Sequence, residues 1–323
     1  MNTFIILFFS ICLVACNETT PQGETASQTP LTTDSTIASK KTMTPSFDFA
    51  YDLKQPAKSF DLDQDLQEIS GLTLSEDTKQ ICAVQDEDGL LFFINKETGK
   101  IEEKIKFHKK GDYEGVTTVG KSVYVVKSTG TLYEVTELTD KKPKFNKYKS
   151  FLNKSYEVEG LCHDSKNNRL LMACKAKAGE GDRFKLTRAI YSFDLTKKEV
   201  ALEPSFLVSL VEIQNFLKGS DAVKELHRFD DFFDKNPREI PFCPSAVAIH
   251  PVTGNVYVLS SVNKILMILS PDSKILHMVK LDKKVHVQPE GITFESDGTL
   301  YISNEGKGGI PRLHRFTYRS ASK

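Results

Sequence analysis

Apolar and β-branched residues along most of this chain fall into short runs, each closed by a polar turn, a pattern that predicts β-strands. The first group reads EISGLTLS, QICAVQD, LLFFINK and KIEEKIKF, joined by the hairpin-type turns EDTK, EDG and ETGK. A second group gives YEGVTTV, SVYVVKS, TLYEVTE and KFNKYKSF, and a third VEGLCHD, RLLMACK, RAIYSFDL and EVALEPSF. The fourth is SAVAIHP, NVYVLSS, KILMILSP and ILHMVKL. One small residue recurs in the first strand of each group: Gly71, Gly115, Gly160, Ala246 and, in EGITFES, Gly291. The spacings are 44, 45, 86 and 45 residues, and a period near 45 predicts an all-β fold, a β-propeller of four-stranded blades. The last group (EGITFES, TLYISNE, RLHRFTY) lacks an outer strand, and AKSFDLD at 57–63 is its natural donor. Pairing the start of the domain with its last blade closes the ring and removes an open sheet edge.

The 86-residue interval is close to two periods, so six blades stand as the alternative to about five. Residues 211–237 favour five. There Val211, Phe216, Leu217, Val223, Leu226, Phe229, Phe232 and Phe233 recur at roughly helical spacing and predict a helical insertion between blades. The propeller domain is read as 47–323.

What precedes it reads as an address. Phe4 to Val14 are almost wholly apolar but too few to span a bilayer as a mature helix. They run into LVAC, which resembles a bacterial lipoprotein signal: residues 1–15 are removed and Cys16 takes a lipid. The n-region MNT departs from that pattern in having no Lys or Arg, and a short uncleaved anchor is the alternative. Residues 16–46 are rich in Thr, Ser, Pro and Gly with little to bury, which predicts a disordered tether with a reach on the order of 30 Å. The expected location is the bacterial cell envelope, on a membrane through the lipid, with the periplasmic or surface side left open.

Lys+Arg and Asp+Glu are both 43, so net charge gives no reason to expect a nucleic acid partner. The aromatic 10% is all Phe and Tyr, which suits sheet. Cys82, Cys162, Cys174 and Cys243 show no zinc spacing. They read as buried thiols, with a Cys162–Cys174 bridge across a hairpin as the alternative. His108, His163, His227, His250, His277, His286 and His314 are scattered and read as surface or packed residues. Neither a GxSxG elbow nor a phosphate-binding GxxxxGK[ST] occurs, and EGKGGIP at 305–311 reads as a long loop between strands at the rim.

The candidate chemistry lies just before the small residues. One position upstream stand Ser70, Glu114, Glu159, Ser245 and Glu290; three upstream stand Glu68, Asp112, Glu157, Cys243 and Gln288. Residues two apart on a strand share a face, so six carboxylates are expected to look toward one axial channel. The ends of the second strands approach the same mouth and supply Asp86, Lys127, Lys175, Ser260, Asn304 and Glu305 as candidate ligand-binding residues. Two carboxylates roughly 6 Å apart repel by about 3 kcal/mol at an effective dielectric near 20. The cluster therefore needs cations: Lys127 and Lys175, and a hard ion such as Ca²⁺. The alternative is that each glutamate only accepts hydrogen bonds from the next blade and fixes the ring.

The segments EISGLTLSEDTKQICAVQDEDG, DYEGVTTVGKSVYVV, EVEGLCHDSKNNRLLMACK, PSAVAIHPVTGNVYVLSS and QPEGITFESDGTLYISNEG, in that order, resemble the SdiA-regulated (YjiK/CarP-like) β-propeller family over about residues 57–318. The resemblance implies a cell-envelope propeller linked to calcium and without a settled reaction. It makes Glu114, Glu159 and Glu290 the first-choice axial metal ligands and Glu68, Asp112 and Glu157 the second. Ser70 and Ser245 interrupt a complete ring. The expected function is a binding module for Ca²⁺, a small ligand or an envelope protein. The alternative is a metal-dependent phosphoesterase or lactonase, for which no general base with an orienting partner is evident.

Overall fold

The computed structural model describes residues 47–139, 142–219 and 221–319, with only the backbone at 221–225. The signal, Cys16 and the whole of the tether lie outside the described residues. Among the described residues five antiparallel sheets form the blades of a propeller. Strands a to d of blade one are Ile69–Leu74, Gln80–Gln85, Leu90–Asn95 and Ile101–Lys106. Those of blade two are Tyr113–Val119, Ser122–Lys127, Leu132–Thr136 and Lys144–Tyr148, and those of blade four Pro244–Ile249, Val256–Ser260, Ile265–Leu269 and Ile275–Lys280. Blade five takes Pro289–Phe294, Leu300–Asn304 and Arg312–Phe316 from the end of the domain and Lys58–Asp61 from its start, paired Lys58 with Arg315 through Asp61 with Arg312. The ring closes as the repeat pattern requires, and five blades replace the six-blade alternative.

Blade three departs from the expectation. Its first strands, Val158–Asp164, Arg169–Cys174 and Thr187–Asp194, are regular, but the outer strand is broken into Glu199–Val200 and Phe206–Ser209. The insertion follows as an α-helix, Leu210–Gly219, and a 3₁₀ segment, Asp221–Phe233. The helix buries Leu210, Ile213 and Leu217 against the core shared by blades three and four, together with Phe229 and Phe232. Val211, assigned to the apolar face from spacing, is exposed. Ile213 stands one helical turn before Leu217, so the buried stripe runs through it and turns Val211 outward.

Apolar faces of adjacent blades form the cores, and the four described cysteines carry no disulfide. Cys162 faces the core between blades three and four, and Cys174 the core between blades two and three, so the two point apart. The a-strands meet around the axis at their small residues. A Cβ on Gly71 would stand 2.8 Å from the Val116 nitrogen and 2.9 Å from Gly115 Cα, and one on Gly115 2.8 Å from the Glu159 oxygen. Glycine is therefore demanded by the approach of neighbouring backbones. None of the described helices is long and apolar enough to cross a membrane.

Candidate functional site

Every a-strand begins with the same irregularity. Pairing with strand b shifts between Ile69 and Gly71, Tyr113 and Gly115, Val158 and Gly160, Pro244 and Ala246, and Pro289 and Gly291. The skipped residue is Ser70, Glu114, Glu159, Ser245 or Glu290. A β-bulge leaves its extra residue outside the ladder and re-aims the side chain. Five successive bulges thus turn three glutamates and two serines toward the axis, beside the tight glycine belt. At the belt itself a cavity of about 10 Å³ remains, lined by Ser70, Glu114, Glu159 and the small residues, scarcely room for one water.

The bulge also fixes what lies opposite. The carbonyls of Glu68, Asp112, Glu157 and Gln288 accept from the backbone N–H groups of Asp86 (3.3 Å), Ser128 (3.2 Å), Lys175 (2.8 Å) and Glu305 (3.0 Å). The residues that meet the carboxylates are accordingly Asp86, Ser128, Lys175 and Glu305, with Ser261 in blade four bonding Glu290. Lys127, Ser260 and Asn304 stand one position earlier. Lys127 holds its ammonium 5.5 Å over the Tyr113 ring. The Ser260 hydroxyl accepts from the Cys243 N–H (3.0 Å) and donates to the Val262 oxygen (2.7 Å). Asn304 is buried with both side-chain atoms unbonded. Counting the b-strands from their turns, which differ in length, would have separated the two sets.

The structure brings Glu68, Asp86, Asp112, Glu114, Glu157, Glu159, Glu290 and Glu305 into one electrostatic cluster. Burial, then the charges of Glu159 and Asp112, push the Glu114 carboxyl far above its usual range. Burial and Glu68 do the same to Asp86, whose Oδ1 is buried and unbonded. Burial raises Glu305 to about 8, helped by Glu290, Asp86 and Glu68, although Gln288 donates to its Oε2 at 2.5 Å. Glu159 and Glu290 are nearly inaccessible, and burial raises both. Lys175 bonds Glu159 at 3.1 Å and restrains the two of them, and the neighbouring Ser261, Ser245 and Gln288 side chains also favour the Glu290 charge. Burial works against the Lys175 charge, but Glu159, Glu290 and Glu114 together outweigh it and raise its pKa. The Asp112 carboxylate accepts from the Ser128 hydroxyl. Glu157 sits at φ +48°, a left-handed conformation uncommon for a long side chain.

Arg188, which drew no notice in the strand RAIYSFDL, is buried beside this mouth. Its guanidinium donates to the Ile240 oxygen (3.2 Å) and Cys243 Sγ (3.5 Å), and its Nε has no partner. EGKGGIP connects strands b and c of blade five, as expected, and docks through the Gly306 N–H donating to the Gln67 oxygen (2.9 Å).

Comparison with known proteins agrees with the architecture. A family model described as SdiA-regulated matches residues 45–179 and 238–307, leaving out the outer part of blade three and the insertion. A search of curated protein sequences gives no match. Among solved structures, Myxococcus xanthus glutaminyl cyclase is similar over 83% of this chain and 97% of its own, with 12% identity and a TM-score of 0.53. A luciferin-regenerating enzyme is similar over 81% of this chain and 95% of its own, with 12% identity and a TM-score of 0.46. At such identities the likeness is one of fold.

Proposed function

The chain belongs to the SdiA-regulated family, and we propose that it is a non-catalytic binding module of the cell envelope, held by a lipid on Cys16, that takes a cation into the carboxylate mouth of its propeller. The observation that carries this reading is the imbalance of the mouth. Eight carboxyl groups meet one directly bonded ammonium, Lys175, while Lys264 and Lys307 act on Glu290 and Glu305 only at longer range, and Asp86 Oδ1 is buried without a partner. A bound cation would supply the missing positive charge and let these groups ionise at neutral pH.

Ca²⁺ is the first candidate, because the donors are carboxylate, hydroxyl and amide oxygens. Among the described residues no three His, Cys, Asp or Glu side chains already stand as a metal-holding group. The donor chemistry therefore fits a Ca²⁺ that keeps several waters, with Glu114, Glu159 and Glu290 as nearest carboxylates and Glu68, Asp86, Asp112, Glu157 and Glu305 around them. The ion would supply charge neutralisation and cross-bracing of blades. A phosphoesterase reading finds less support. A phosphate would meet this acidic surface with Lys175 as its near ammonium, since Lys127 is turned onto Tyr113.

The test is thermal unfolding at pH 7.5 with and without millimolar Ca²⁺. Wild type is expected to melt several degrees higher with the ion, and the Glu114→Gln/Glu159→Gln protein to lose that increment. Equal shifts in both proteins would remove the metal from this mouth. Hydrolysis of phosphoesters or lactones, dependent on Ca²⁺, would overturn the non-catalytic reading.

A further inference from the structure

The axis has a second mouth. The a-strands run from the carboxylates, past the glycine belt, to a cavity of about 320 Å³ lined by their far halves: Leu72–Glu76 of blade one, Thr117 and Thr118 of blade two, Leu161–His163 of blade three, Ala248 and Ile249 of blade four, and Ile292–Phe294 of blade five. The two ends lie roughly 10 Å apart at about 3.3 Å per residue. The belt between them, with its cavity of about 10 Å³, keeps them separate.

This cavity differs in kind from the first. Its floor is apolar, made by Leu72, Leu161 and Ile292. Thr117 and Thr293 are 4% and 9% exposed, and among the described residues neither hydroxyl has a hydrogen-bond partner, whereas Thr118 is committed to the Leu74 oxygen at 2.8 Å. Both hydroxyls stand on the wall of one cavity, free to bond a guest in place of water. His163 lines the same space with no hydrogen-bond partner among the described residues, and burial lowers its pKa against the opposing charge of Asp164, so its imidazole is neutral at pH 7. No Lys or Arg lines the cavity, and its one carboxylate, Glu76, is exposed at the rim.

We propose that this second mouth is a binding site for a neutral, hydroxyl-bearing small molecule of monosaccharide size, held by Thr117, Thr293 and His163 over the apolar floor of Leu72, Leu161 and Ile292. The volume holds roughly ten waters at about 30 Å³ each and lies at the lower end for small-molecule sites. The lining offers no cation to an anion, and its open groups are donor–acceptor hydroxyls and a neutral imidazole. A sugar ring presents the matching pair of surfaces, hydroxyls at the edge and C–H groups on the face.

The experiment is a titration of the full chain with glucose and N-acetylglucosamine, with glucose 6-phosphate as the charged control, followed by calorimetry and by the His163 imidazole resonance. Saturable binding of at least one neutral sugar is expected, with a shift of His163 and at least tenfold weaker binding of the phosphate. Thr117→Val and Thr293→Val keep the side-chain shape, and each should weaken binding roughly three- to tenfold, the range of one hydrogen bond. Glu114→Gln, at the other mouth, should leave it unchanged. The assignment is overturned if no neutral sugar saturates at tens of millimolar, if His163 is silent, or if the threonine variants bind like wild type. Sensitivity to Glu114→Gln instead would move the sugar to the carboxylate mouth. Either failure leaves the Ca²⁺ test intact, because that test reads different residues.

Discussion

Two regions of this propeller bury dense groups of titratable side chains, and they handle the cost in opposite ways. At the carboxylate mouth, like charges are crowded together and restrained by one lysine. At the closing seam, histidines gather under the segment 47–61 and are kept neutral by burial. His250 Nδ1 accepts from the Val252 and Thr253 N–H groups (3.2 and 3.1 Å), so its proton is on Nε2 and donates to the Tyr51 hydroxyl (2.8 Å), which donates to the Gly298 oxygen (2.6 Å). His286 Nε2 donates to the Leu53 oxygen (2.9 Å). His314 donates to the Val285 oxygen (3.0 Å) and accepts from Ser59 (2.8 Å). His277 stacks on Phe47 and Phe49. The hydrogen bonds of His250 and His314 are complete for the neutral ring, and those of His286 lack only a partner for its buried Nδ1. The seam is built to be finished by its own chain, whereas the mouth is left short of positive charge. That difference separates a structural use of buried polar groups from a ligand-directed one.

The sharpest way to break the comparison is at the seam. Deleting residues 47–61 removes the outer strand of blade five and the buried Tyr51, Leu53 and Phe60. At about 1.5–3 kcal/mol for each large apolar side chain, the loss approaches the 5–15 kcal/mol that holds a whole domain. Loss of the cooperative unfolding transition is expected; a shortened chain that still melts in one sharp step would show that the closure is dispensable. At the mouth the largest single effect falls on Lys175. Lys175→Met leaves Glu159 and Glu290 buried without their cation and should destabilise by about 3 kcal/mol at pH 8. At pH 5 the Glu159 carboxyl, raised to about 7, is protonated and the loss should be less than half as large. Urea unfolding at both pH values reads this, and equal losses would mean that Lys175 acts by packing alone.

Most of the fold was legible from periodicity because the repeat reflects a physical demand. Gly71 and Gly115 recur since a Cβ would strike the next blade's backbone, and AKSFDLD carries Phe60 into the seam. The cluster of carboxylates was legible for the same reason. Its exact membership was not, because simple alternation does not survive a bulge: Lys127 and Asn304 fall one position short of the mouth, where their neighbours Ser128 and Glu305 stand. The histidine seam escaped altogether. His250, His277, His286 and His314 are far from Tyr51 and Leu53 in sequence, and ring closure alone brings them together. Arg188 was hidden because one arginine in an apolar strand usually points outward.

The finest test of the comparison is pH, since the two regions titrate with opposite sign. Burial lowers His250 and His286 from 6.5 to about 4, so the unfolded chain binds more protons between those values and stability falls as pH drops through them. The carboxyl of Glu305 rises from 4.5 to about 8, and those of Glu114 and Asp86 move the same way, so the folded chain binds more protons there and stability falls as pH climbs toward 8. The two slopes oppose each other from pH 4.5 to 6.5. Above that range only the carboxylates act, and stability is expected to fall from pH 6.5 to 8 in the absence of bound cation. His286→Gln separates the regions most cleanly: the amide nitrogen can still donate to the Leu53 oxygen, but the group no longer titrates. The groups facing His286 are His314, which disfavours its charge, and Asp282, which favours it. Stability at pH 7 should change little, the acid limb between pH 6.5 and 4 should flatten by close to one proton, and the alkaline limb should stay as it was. An unchanged acid limb would place the acid sensitivity elsewhere, on the other buried imidazoles, His277 and His314, which burial also holds below their usual range.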